Sequence, residues 1–156
     1  MLIRDYRRSD AAAITQLFYE TIHSVNLEDY SERQVEAWAP EVPEVEAWHS
    51  RMIQRTTLVA EETGQVMAFA ELESDGHLDM FYCRHDIIGR GVGRSLYQAV
   101  ETRALGMGLG RIFTEASITA RPFFARCGFS MVQEQTFVRR GAEMRNFRME
   151  KLLAQS

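Results

Sequence analysis

Cysteine is scarce in this chain, at two of 156 residues. Cys83 and Cys127 are too few for a disulfide framework and lack the spacing and histidine partners of a zinc site, so both read as free buried thiols. Proline is limited to three residues, and no repeat, low-complexity tract or linker divides the chain. No apolar run approaches the roughly 20 residues of a membrane span. The opening "MLIRDYRRSD" has charge where a signal peptide would be apolar, which predicts a cytoplasmic protein without a membrane partner. Basic charge is not in excess either: the formal net charge is −4, which argues against a nucleic-acid surface and favours small or cationic partners. What is present is 46% hydrophobic residues, enough for one domain over 1–156 with a buried core.

Periodicity divides that domain into elements. "LIRDY" alternates as a strand; Ser9 or Asp10 then caps a helix with Ile14, Leu17, Phe18, Ile22 and Val25 on one face. "DYSERQVEAWAP" starts a second helix at a Ser31/Gln34 capping box and stops it at Pro40, and Val45 to Gln54 forms a third. "TLVAEE" and "QVMAFAELE" flank Thr63-Gly64 as a hairpin. In "HLDMFYC" the alternation puts Leu78, Met80 and Tyr82 on one face and His77, Asp79, Phe81 and Cys83 on the other. A helix from Val92 to the Gly106/Gly108/Gly110 cluster follows, then the strand "RIFTEAS", a short helix in "TARPFFARCGF" capped by Thr119 and ended by Gly128, and two strands around "RRGA". This order predicts an α+β domain whose mixed sheet is covered by helices.

The turn "IIGRGVGRSL" carries the chemistry. A strand leading through glycines into a helix aims several backbone N–H groups and the positive end of the helix dipole at one spot, which binds phosphate. Arg90 and Arg94, with Arg84 nearby, would add charge. A plain tight turn is the alternative. No Gly-Lys-Ser/Thr follows, so a Walker loop is excluded. The dinucleotide pattern also fails, because its third glycine would fall on Arg94 or Leu96.

The same turn, read as Ile88-Gly89-Arg90-Gly91-Val92-Gly93, resembles the acyl-CoA loop of the GNAT superfamily of N-acetyltransferases, Gln/Arg-x-x-Gly-x-Gly/Ala after a central strand. "TLVAEETGQVMAFAELES", "HLDMFYC" and "SITARPFFARCGF" before a terminal strand pair follow the family's order over nearly the whole chain. Further segments, such as "RRGAEMRNFRME", resemble a small bacterial subgroup. The resemblance implies the GNAT fold, a mixed, mostly antiparallel central sheet flanked by helices on both faces. It also implies acetyl transfer from acetyl-CoA to a primary amine of a small molecule or peptide, by direct attack and without a metal. Ile88 and Phe124 depart from the family's Gln/Arg and tyrosine. The latter keeps open a non-catalytic acyl-CoA sensor or interaction domain, as a homodimer also stays open.

By this resemblance, cofactor contacts fall on Phe81, Tyr82, Cys83, Ile88, Gly89, Arg90, Gly91, Val92, Gly93, Arg94, Ser117 and Phe124. His77 stands where one branch of the family has its base, with Asp79 as orienter; Glu71 is a third candidate, alternatively a solvated face residue. A backbone N–H in the Phe81–Cys83 region is implied as the carbonyl polariser. Tyr82, Ser117 and Cys127 are candidate donors to the leaving thiolate. Acceptor selection is expected from the first helices, through His23, Tyr30 and Trp38, although Trp38 and Trp48 also suit ordinary packing.

Overall fold

The computed structural model describes residues 1–154. Strands β1 (Leu2–Asp5), β2 (Thr56–Glu62), β3 (Gln65–Leu72) and β4 (Leu78–Cys83) form an antiparallel sheet in that order. A second sheet has the order β5 (Arg111–Ser117), β7 (Ala142–Leu152), β6 (Ser130–Arg139). The two meet at one parallel bridge, His77 to Phe113, beyond which β4 and β5 diverge. The expected central sheet is thus split in two, and the split is a wedge open on one side.

Helices cover both faces. Helices α1 (Ala11–Ser24), α2 (Glu32–Trp38) and α3 (Val45–Met52) bury Ile14, Phe18, Ile22, Val35 and Met52 against Phe69 and Met144. On the other face α4 (Val92–Gly106) buries Leu96, Tyr97, Val100 and Ala104 against Leu58, Ala70 and Ile112. The short α5 (Arg121–Arg126) adds Phe124 and ends at Gly128, whose φ of +99° favours glycine. Helix α2 begins with the expected reciprocal cap: Gln34 N–H donates to Ser31 Oγ and Ser31 N–H to Gln34 Oε1. The turns Thr63-Gly64 and Arg140-Gly141 have positive φ at both residues, the mirror-image geometry that matches strand twist in tight hairpins.

Three local expectations are corrected. The Asp10 carboxylate does not cap α1; it accepts from Arg7 N–H and from Nη1 and Nη2 of Arg4, because a chelating ion pair outcompetes a single amide. Thr119 does not cap α5, since Ser117 Oγ takes the Ala120 N–H at 3.0 Å. Leu78 does not share a face with Met80 and Tyr82. An irregularity in pairing matches Leu78 to Leu72 and Met80 to Glu71, leaving Asp79 as an extra residue, so Leu78 packs with Phe81 and Cys83 instead.

Candidate active site

Between the diverging strands lies a cleft of about 560 Å³, reaching from Asp79 along β4 to the glycine turn. Arg84 N–H bonds Met67 O, so alternate β4 residues back from it direct their backbone groups toward β3 and the intervening Phe81 and Cys83 direct theirs into the cleft. Thr21 Oγ1 donates to Cys83 O at 2.7 Å. The N–H groups of Phe81 and Cys83 remain available as donors, in the region where the family resemblance implies a carbonyl polariser.

At the far end Gly89 and Gly91 have φ of +86° and +85°, and a Cβ at either would meet no protein atom within 4 Å. Glycine is required there by conformation and leaves the approach from solvent clear. The N–H groups of Arg90 and Ser95 bond Ile87 O and Gly91 O, whereas those of Gly91, Val92, Gly93 and Arg94 find no acceptor among the described residues. These are the orphan donors of a helix N-terminus, converging where an anion would sit. Gly93 has another purpose: a Cβ there would come 3.2 Å from the Phe123 ring and 3.3 Å from Cys83 Sγ, so it permits α4 to approach β4. Ile88 and Arg94 line the cleft, but the Arg90 side chain does not, Val92 is buried in the core, and Arg84 is paired with Asp86 at 2.5 Å. Phe124 both lines the cleft and packs edge-on against Phe81 and Phe129. Burial pushes the Cys83 thiol up to about 12 and raises that of Cys127; both cysteines are free and half-buried.

A smaller pocket of about 160 Å³ opens beside the cleft. Trp38, Asp79, Tyr82, Glu115 and Ser117 line both spaces and mark their junction. Tyr30 lines the smaller one; its hydroxyl donates to Arg145 O at 2.7 Å and accepts from Ile118 N–H at 2.9 Å, tying the helical cap to the second sheet. Burial raises the Tyr82 phenol, which therefore keeps its proton.

The candidate bases are arranged differently from expectation. His77 is not oriented by Asp79: its Nδ1 is 2.7 Å from Glu73 and its Nε2 2.7 Å from Glu115, and it stacks on Phe113. The bond to Glu115, opposed by burial and reinforced by Glu73, pushes the imidazole up to about 9, so it is a cation at neutral pH. Asp79 instead accepts from Arg55 at 2.6 Å. Glu71 is neither a solvated residue nor near the junction; it is fully buried, chelated by Arg51 at 2.9 and 2.7 Å with Arg55 at 3.6 Å. His23 lines neither space and bonds Ala39 O. Glu73, Arg55 and Glu115 escaped the sequence reading. The alternation of Glu115 with Ser117 in "RIFTEAS" was the available signal, but its meeting with His77 depends on the bridge between the sheets.

Comparison with known proteins agrees with this geometry. Residues 26–153 match the family model described as acetyltransferase (GNAT) domain. The chain is 29% identical over 147 residues to the uncharacterized N-acetyltransferase YafP of Escherichia coli strain K12, covering 94% of this chain and 93% of YafP. A crystal structure of a GCN5-related N-acetyltransferase from Rhodopseudomonas palustris is 34% identical over 97% of this chain and 95% of that one, with a TM-score of 0.91. PaiA N-acetyltransferase from Thermoplasma acidophilum, solved in complex with coenzyme A, shares the fold at 18% identity and a TM-score of 0.81, over 97% and 98% of the two chains. No helix among the described residues is long and apolar enough to cross a membrane. With the wedge, the orphan amides and the family match in agreement, the chain belongs to the GNAT acetyltransferases and is a transferase.

Proposed function

We propose that this protein transfers the acetyl group of acetyl-CoA to the primary amine of a small molecule or peptide. One observation carries the reading: a row of unpartnered N–H groups at Gly91 to Arg94 lies at one end of a cleft whose other end meets a second pocket between two carboxylates. The amides and Arg94 suit a pyrophosphate, and the Phe123 ring and the β4 edge suit an extended pantetheine arm. A Phe81 or Cys83 N–H would take the thioester oxygen, where a preorganised donor is worth most as charge develops.

The acceptor amine enters from the smaller pocket. Arg55 and protonated His77 face three carboxylates, Glu73, Asp79 and Glu115, which leaves one surplus negative charge to hold an ammonium. The ammonium gives a proton to a carboxylate at the junction, directly or through water. Its nitrogen then forms the C–N bond as the C–S bond breaks, the thiolate leaves with that bond's electron pair, and the nitrogen's second proton passes to the thiolate through a neighbouring hydroxyl or water, giving the amide and the CoA thiol. Tyr82 and Ser117 are the hydroxyls able to donate toward that sulfur; Ser117 Oγ accepts the Ala120 N–H, so its own hydrogen is free. His77 acts as a positioning cation for Glu115 and not as the base. The chain acts as one catalytic domain in the cytoplasm, the compartment favoured by free thiols.

Thiol release from acetyl-CoA against a panel of small amines, amino acids and peptides tests the proposal. Turnover with at least one amine is expected, together with a higher melting temperature on adding CoA. A melting temperature indifferent to CoA and acetyl-CoA refutes it.

A further inference from the structure

The smaller pocket is charged at both ends. Glu115 and Ser117 lie on one face of β5, and the pairings Ser117–Asn146, Phe137–Met144 and Arg139–Ala142 continue that face across β7 to β6. At the junction end stand Asp79 and Glu115 with their surplus negative charge. Between the ends, Asn146 Oδ1 is buried without a hydrogen-bond partner. At the other end stands Arg139, for which no carboxylate or hydrogen-bond partner is found among the described residues. Its neighbour Arg145 differs: one residue from Asn146 and on the opposite face, it is paired with Glu134 at 2.9 Å. Phe18, Met80, Phe137 and Met144 supply apolar wall, while Tyr30, Trp38, Tyr82, Ser117 and Arg145 also line the pocket.

From this arrangement we infer that the acceptor is an amine that also carries a carboxylate, its ammonium seated between Asp79 and Glu115 and its carboxylate on the Arg139 guanidinium. The inference rests on the acetyl-transfer reading and names the acceptor class for that site. Arg139 is exposed at the pocket rim, where its guanidinium can be reached from solvent, and its planar fork matches a carboxylate in two parallel hydrogen bonds. Asn146 Oδ1 supplies an acceptor for the substrate N–H, which an ammonium, an amine and the product amide all possess. Spacing bears on chain length. Ala142, opposite Arg139, is four residues from Asn146, roughly 13 Å along the strand. The arginine side chain spans part of that gap, and the rest leaves several bonds between amine and carboxylate. An apolar methylene chain fits the walls between them.

The test compares kcat/KM for 4-aminobutyrate and 6-aminohexanoate with that for butylamine and hexylamine, by thiol release from acetyl-CoA. The native protein is expected to prefer the amino carboxylates by about tenfold or more, the effect of one charge-assisted pair. In Arg139→Gln the ratio should fall to near one, and in Arg139→Glu preference should pass to the diamines of matching length. Equal rates for both series in the native protein, or a preference that survives Arg139→Gln, overturns the inference while leaving acetyl transfer intact. Failure of every amine to release thiol overturns both readings.

Discussion

Replacing His77 with glutamine should remove a stabilisation that depends on pH in a defined direction. The imidazole stands at about 9 in the folded protein against an ordinary value of 6.5, because Glu115 and Glu73 hold its cation. That difference is worth at most ~3 kcal/mol, and solvent screening at the partly exposed carboxylates reduces it to about 1–2 kcal/mol. A raised folded-state value means that the contribution is complete below pH 6.5 and disappears as pH rises through 9. Urea unfolding of both proteins at intervals from pH 6 to 10 should show their stability difference shrinking by that amount, mostly between pH 7 and 9. A difference that stays constant, or that grows toward alkaline pH, would refute the imidazolium clamp and restore His77 as a candidate neutral base. Direct titration of the ring by NMR gives an independent reading of the same midpoint.

The glycines of the turn should separate cleanly. Gly91→Leu forces a side chain to φ +85° at a cost of about 1–3 kcal/mol, yet meets no protein atom, so the fold should persist while the CoA-dependent rise in melting temperature vanishes. Gly93→Val would drive methyl groups into the Phe123 ring and Cys83 Sγ, and its main effect should be on thermal stability without ligand. Glu71→Ala leaves Arg51 and Arg55 without their shared carboxylate and should destabilise the chain by about 3 kcal/mol, read from denaturant midpoints. Cys83, with its thiol held near 12, should react with a disulfide reagent at pH 7.5 far more slowly than in the unfolded chain; equal rates would contradict its burial.

Local signals in the sequence were strong wherever one segment contained its own partners. The Ser31/Gln34 box, the Thr63-Gly64 turn and the apolar stripe of α1 each depend on residues within a few positions of one another, and each stands as expected. The glycine turn belongs to the same class, since its free amides follow from the start of α4 alone. Contacts between distant segments were less legible. His77 and Asp79 lie two apart and invite pairing, but the extra residue in β4 gives Asp79 to Arg55, and the bridge to Phe113 brings Glu115, 38 residues away, to the ring. Glu71 looked solvated because a lone charge in a strand usually is; Arg51 of α3 reaches it only once that helix has packed over the sheet.

The point at which the two sheets touch also works as a ruler. Strands that part from a single hinge separate further with each residue, so position along β4 sets how thick an inserted molecule can be. At the apex the His77 and Phe113 rings stack directly, and the cleft opens from Asp79 past Phe81 to the glycine turn. Trimming Phe113 would let the apex close and narrow every station beyond it, so a residue outside the cleft lining would still set the width of the cleft.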